Sequence, residues 1–207
     1  MIAIRWAPVC GVVVSVLLLA ACAAPGPVRN LTAPEQAYAK RLDRLQGAQT
    51  WGFVGRLGLD DGQDGGSGRL DWRSDMDSVT LEFRGALGQG AWQLAADPAQ
   101  ARLTRTDGSI TVAPHIDLLA YQELGWVLPV SALSWWVRGM AWPGTQGPDA
   151  LQLNEDGTPA VIEQLGWHVT YSRYMDYAGE QMPSRLLARQ GDTQVKLAVS
   201  RWHGWAQ

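Results

Sequence analysis

Cysteine, phenylalanine and histidine are scarce in this chain of 207 residues, with two, two and three copies. Cys10 and Cys22 both lie near the start, so nothing downstream can form a thiol metal site or a disulfide-stapled scaffold. His115, His168 and His203 are far apart in sequence, with only carboxylates as candidate co-ligands, too loose a set for zinc. No apolar run reaches the about 20 residues that a spanning helix needs. A basic excess is missing too: 17 Lys and Arg face 20 Asp and Glu, for a formal charge of -3. That balance implies no basic face and argues against nucleic acid as a partner.

Signatures of catalysis are missing as well. The nearest approach to a serine-hydrolase elbow, Gly65-Gly66-Ser67-Gly68-Arg69, fails at its last position and reads as a turn between strands. Asp60-Asp61-Gly62-Gln63-Asp64-Gly65 has Gly at the third position of a calcium loop and Asp71 at the twelfth, so it reads as a solvated acidic turn. Gly85-Ala86-Leu87-Gly88-Gln89-Gly90 has the wrong glycine order for a dinucleotide fingerprint. No enzyme, metal or cofactor is expected.

What is present starts with a leader. Arg5 precedes an apolar run from Val9 to Ala21, the pattern of a secretory signal peptide. Leu19-Ala20-Ala21-Cys22 resembles a lipobox, in which the Cys thiol is acylated and becomes the new N-terminus; the alternative is a secreted protein with a chance Cys. Several acyl chains anchor firmly, since each buried methylene contributes about 0.8 kcal/mol. In the sorting rule of such lipoproteins, Asp after the Cys favours inner-membrane retention; Ala23 stands here, so the outer membrane is expected, on its periplasmic face. Loss of residues 1–21 removes only Arg5 among charged groups and moves the formal charge from -3 to -4.

Residues 22–33, rich in Pro and small side chains, read as the lipidated Cys and a flexible tether, and residues 34–207 as one folded domain. Glu35–Gln46 places Tyr38, Leu42 and Leu45 on one side of a helix, with Gly47 to end it. The period then changes to two. Alternating runs at Trp51–Leu59, Leu70–Trp72, Val79–Phe83, Trp92–Ala96, Leu103–Arg105 and Ile110–Val112 predict an antiparallel meander. Pro114–Leu124 and Pro129–Arg138 return to helical spacing. Strands resume at Leu151–Leu153, Val161–Ile162, Trp167–Tyr174, Arg185–Ala188 and Val195–Trp202, with Asp156-Gly157 and Gly191-Asp192 as turns. The prediction is a mainly β fold: a long curved antiparallel sheet with short helices against its concave side.

Tryptophan is abundant, eleven in all with Trp6 in the leader. Core packing is one explanation. A lipid pocket is the other, because a single sheet with a helical cover hardly buries ten such rings without leaving a cavity or an exposed apolar patch.

Several segments together resemble the LolB family of outer-membrane lipoprotein receptors. They are Gly55-Arg56-Leu57, the hairpin Arg84-Gly85-Ala86-Leu87-Gly88, Leu128-Pro129-Val130 followed by Leu133, Trp136, Gly139 and Pro143-Gly144, and the run Trp167-His168-Val169-Thr170-Tyr171. The order and spacing of these segments, more than any one of them, carry the resemblance, which extends over essentially the whole chain. It implies an unclosed half-barrel with a helical lid over a hydrophobic cavity. That cavity would take the acyl chains of lipoproteins from a LolA-like periplasmic carrier, for delivery to the inner leaflet of the outer membrane, without nucleotide. It implies that Ala86, Leu87 and Gly88 form a membrane-insertion loop with Leu87 exposed, although Gly85-Ala86 replaces the polar residue and Pro usual in the family. Candidate cavity residues are Phe53, Leu57, Trp72, Leu81 and Phe83 on strands, and Leu119, Leu133 and Trp136 on helices. A monomer is expected. The competing reading is a structural or assembly lipoprotein that binds a protein partner through an aromatic-rich sheet.

Overall fold

The computed structural model describes residues 30–63, 65–86, 90–144 and 147–206, with side chains through 204. Cys22, Leu87 and Gly88 lie outside the described residues. Leu31–Gln207 is a compact unit in its own right, with one continuous apolar core.

Chain order is α1 (Ala33–Gln46), β1 (Thr50–Asp60), β2 (Gly65–Asp75), β3 (Ser78–Gly85), β4 (Trp92–Ala96), β5 (Ala101–Arg105), β6 (Ile110–Ala113), α2 (Ile116–Leu124), α3 (Val130–Trp136), β7 (Ala150–Leu153), β8 (Pro159–Gln164), β9 (Trp167–Tyr177), β10 (Glu180–Gln190) and β11 (Thr193–Ala206). The strands form one sheet in the order β6-β5-β4-β3-β2-β1-β11-β10-β9-β8-β7. Neighbours are antiparallel throughout, and β1 joins the two meanders by pairing with β11. β6 and β7 are therefore free edges, and the sheet is unclosed. The segment between those edges carries α2 and α3, which pack on one face of the sheet.

α1 starts at Ala33, two residues before the expected Glu35, because Thr32 and Glu35 form a reciprocal capping box. Its buried side holds Arg41 beside Tyr38 and Leu45. The stretch Gly65–Gly68, expected as turn, is instead the start of β2, with Gly65 opposite Asp60 and Ser67 opposite Gly58. The turn is confined to the residues between β1 and β2. There the carboxylates of Asp60 and Asp61 accept from the Gly62 and Gln63 amides at 3.0 and 2.9 Å, as Asx turns do. Gly55 sits where β11 bulges, and a Cβ there would meet the Ala198 carbonyl oxygen at 2.6 Å. Gly125 ends α2 at φ 66°, a left-handed cap that suits glycine.

A buried glutamine ties β8 to the end of α3 and the segment after it. Gln164 on β8 is 1% exposed. Its Oε1 accepts from Trp136 Nε1 at 3.0 Å and from the Trp142 amide at 2.9 Å, and its Nε2 donates to the Trp142 carbonyl at 2.8 Å. Removing the amide strands the buried Trp136 indole N–H and the part-buried Trp142 amide, at about 1–3 kcal/mol for a buried donor. Gln164→Leu should therefore lower unfolding free energy by about 3 kcal/mol in a urea titration; an unchanged midpoint would show that the contact is not structural.

A roofed apolar face as the candidate site

The inner face of the sheet, the one against the helices, is organised as a transverse row. Register places Leu103 opposite Leu94, Leu94 opposite Leu81, Leu81 opposite Trp72, Trp72 opposite Phe53 and Phe53 opposite Trp202. Six neighbouring strands thus contribute one side chain each, and none is more than 3% exposed. The rings interlock: Phe53 lies 5.8 Å from Trp72 and 5.3 Å from Trp202, and Trp51 stacks on Trp72 at 5.9 Å. Leu57, Leu197 and Leu186 form a second row beside it. From above, Leu119 and Ala120 of α2 and Ala132, Leu133 and Trp136 of α3 complete the cluster.

All eight cavity candidates share this inner face or its roof. Phe53, Leu57, Trp72, Leu81, Leu119, Leu133 and Trp136 are buried, while Phe83 is half-buried and stacks on Trp92 at 5.2 Å. Sequence reasoning missed Leu94, Leu103 and Trp202, although strand parity and register would have added them. The side chains pack against one another, and an opening appears beside the row, toward the β2–β3 turn. There a cavity of 440 Å³ lies between β2, β3, β4 and the starts of α2 and α3, bordered by Trp72, Val79, Ala96, Ile116, Val130, Asp117 and Ser131. The Trp72 indole N–H is buried without a partner among the described residues.

The two roof helices are held unequally. The end of α3 is pinned on every side. The Tyr171 hydroxyl donates to the Trp136 carbonyl at 2.8 Å, and full burial raises this tyrosine's pKa, keeping the group neutral. Arg138 donates to the Leu45 carbonyl at 3.2 Å and lies over the rings of Trp51 and Trp135 at 4.6 and 5.0 Å. Burial pushes this guanidinium down to about 10, still charged at neutral pH; the ring faces offset part of its desolvation. Arg41 donates to the Arg138 carbonyl at 2.9 Å and faces Glu180 at 3.6 Å. Arg44 also bonds Glu180, so α1 is fastened to β10 and to the end of α3.

α2 has far less. Its start is joined to α3 by Asp117, which accepts from the Ser131 amide at 2.9 Å and from the Ser131 hydroxyl. Its end is joined to β5 by Arg105, which donates to the Glu123 carboxylate at 2.7 Å and carbonyl at 3.2 Å. The other candidates sit differently. Ala86 follows β3 directly, at the end of the sheet where the β3–β4 connection carries Leu87. The three histidines stay apart: His168 faces Glu163 at 3.0 Å, His203 faces Asp71 at 3.9 Å, and His115 precedes α2. Among the described residues, no group of three or more His, Cys, Asp or Glu could hold a metal. The nine tryptophans from Trp51 to Trp202 are all buried or half-buried.

An unclosed antiparallel half-barrel, roofed over its apolar face by the segment joining its own free edges, has the architecture of a carrier for apolar ligands. Comparison with known proteins narrows this class to one family. The family model described as outer membrane lipoprotein LolB matches residues 49–202. Proteins named outer-membrane lipoprotein LolB are 34% identical in Pseudomonas fluorescens, covering 90% of this chain and 91% of that one. The corresponding values are 31%, 91% and 87% in Chromohalobacter salexigens, and 34%, 90% and 90% in Stutzerimonas stutzeri. The chain belongs to the LolB family. Its localisation is the outer membrane. Among solved structures, a LolA superfamily protein from Nitrosomonas europaea aligns at TM-score 0.49 and 10% identity, over 86% of this chain and 95% of that one.

The Arg105–Glu123 pair is about a third exposed on each side, so screening reduces its contribution to about 1 kcal/mol. Glu123→Gln should therefore speed hydrogen exchange of α2 amides about fivefold while leaving β1, β2 and β11 amides unchanged. Equal exchange in variant and parent would show that the pair does not latch α2.

Proposed function

We propose that this protein, a receptor of the lipoprotein-localisation pathway, takes up the acyl chains of lipoproteins on its inner sheet face beneath α2 and α3. A LolA-like periplasmic carrier delivers the cargo, and this chain releases it into the inner leaflet of the outer membrane. The observation that carries the reading is the apolar row from Leu103 to Trp202, closed off by α2 and α3. The 440 Å³ cavity beside it, which the row reaches at Trp72, is the doorway, of a size typical for ligand pockets. Lifting α2 exposes the row to an acyl chain, which then replaces the helix as its cover. The lone Trp72 N–H suits an acyl ester carbonyl.

Transfer of this kind moves apolar surface from one shelter to the next and breaks no covalent bond, so no enzymatic step is assigned. Acylated Cys22 anchors a monomer to the membrane through residues 22–33. Leu87, between Ala86 and Gly88, is the apolar tip that enters the bilayer. A protein partner reading the sheet through its tryptophans is not favoured, because the described tryptophans turn inward.

In a reconstituted assay without membranes, the Ala23–Gln207 segment should strip lipoprotein from its LolA-like carrier. Cargo that stays on the carrier would overturn acyl-chain acceptance. With outer-membrane vesicles added, Leu87→Glu should accept cargo normally yet insert it at least tenfold more slowly, since a charge at the tip costs about 2.5–3.5 kcal/mol in hydrocarbon. Normal insertion by that variant would remove Leu87 from the mechanism.

A further inference from the structure

The outer face of the same sheet carries a second transverse row, of opposite character. Arg84 lies opposite Arg69, Arg69 opposite Arg56, Arg56 opposite Ala198, Ala198 opposite Arg185 and Arg185 opposite Arg173. Five arginines thus cross six adjacent strands, and all five are exposed. Like charges directly opposite one another across strands destabilise a sheet. The arrangement is not relieved by neighbouring acids. The carboxylates nearest the row on this face, Asp71 and Glu82, are engaged by Arg73 at 3.3 and 3.0 Å, and no ion pair of the five row arginines appears among the described residues. Arg56 donates to the Ser67 hydroxyl at 3.2 Å.

Around the small side chain of Ala198, two adjoining grooves of 540 and 400 Å³ open between the guanidinium groups, sharing Arg56, Arg185 and Ala198. Among the described residues, no acidic side chain borders either groove, and Leu187 and the Lys196 side chain add apolar wall and a further cation to one of them. The absence of a basic face inferred from the net charge is corrected here. The protein is acidic overall, yet register collects cations from residues 56 to 185 on one line.

We propose that this outer-face row is a docking surface for the phosphate headgroups of an anionic phospholipid membrane. Guanidinium groups bind phosphate oxygens in bidentate geometry. A single free phosphate would engage one or two of them, whereas a row of roughly 24 Å, at about 4.8 Å per strand, fits an array of headgroups in a plane. Charge and location agree: a cationic strip on a protein held at the outer membrane meets phosphates at short range. Its β3 end is also near the insertion loop, since Arg84 is three residues before Leu87. Docked this way, the sheet presents its outer face to lipid while the roofed face stays open to the periplasm. The proposal depends on the outer-membrane location and is independent of acyl-chain acceptance.

The test is co-sedimentation of the Ala23–Gln207 segment with vesicles of phosphatidylcholine alone, or mixed three to one with phosphatidylglycerol, at about 50 and 300 mM salt. Binding should require phosphatidylglycerol and should weaken at the higher salt. Each cation near an anionic surface contributes about fivefold, so Arg56→Ser with Arg185→Ser should bind roughly 25-fold more weakly. The charge-matched pair Lys40→Ser with Arg102→Ser, the first on α1 and the second on the outer face but off the row, should lose no more than about fivefold. The Arg56, Arg185 variant should also keep the parent's melting temperature or exceed it, because like-charge repulsion is relieved. Equal loss in both pairs would mean that net charge alone attracts the protein, and would overturn the site. Complete displacement by 5 mM inorganic phosphate would assign the row to a free anion and overturn the membrane. The lipoprotein-transfer assay is run without vesicles, so either reading can fail alone.

Discussion

An unclosed sheet with one apolar face must have that face covered, and here the cover is the chain segment that joins its two free edges. Everything else in the domain depends on this closure. Six side chains from Leu103 to Trp202 lie in register across neighbouring strands, and left open they would be a large apolar patch of the kind soluble proteins rarely expose. α2 and α3 bury it. Because the cover belongs to the same chain and shares no hydrogen-bond ladder with the sheet, it can lift without breaking strand pairing.

The polar contacts divide the roof into a fixed part and a lightly held part. Around α3, Arg41, Arg138, Gln164 and Tyr171 form a network in which a buried donor or charge meets a carbonyl, an amide oxygen or a ring face. Such groups are costly to strand, so they move together or stay. α2 depends on Asp117 and Arg105 at its two ends, both partly open to water. The difference in attachment is one of position: α2, beside the cavity, has few polar ties, while α3 behind it is fixed to α1, β8 and β9.

The two faces of the sheet express one geometric rule with opposite chemistry. Side chains alternate across a strand, so the residues between Phe53 and Leu57 include Arg56, which points away from the core. Repeated over six strands in register, alternation yields an apolar line inside and a cationic line outside. The first excludes water and suits acyl chains; the second remains solvated and suits phosphate.

Much of this was legible in the sequence. The period-two runs and their turns located the eleven strands of the sheet, the helical spacing after Pro114 and Pro129 located the roof, and the segments around Gly55, Leu128 and Trp167 indicated the family. Those signals are local, since hydrophobic periodicity and turn chemistry depend on neighbours a few residues apart. Parity grouped Phe53 with Leu57 and Trp72 with Leu70, without telling which face lay inside. Only the tertiary structure decided that, together with the burial of Arg41 and Arg138, the strand character of Gly65–Gly68 and the alignment of five arginines. Each of these depends on which strand lies beside which and at what register, as when β1 pairs with β11 across some 150 residues of chain. Such pairings are chosen by packing of the whole core, and no stretch of sequence taken alone contains them.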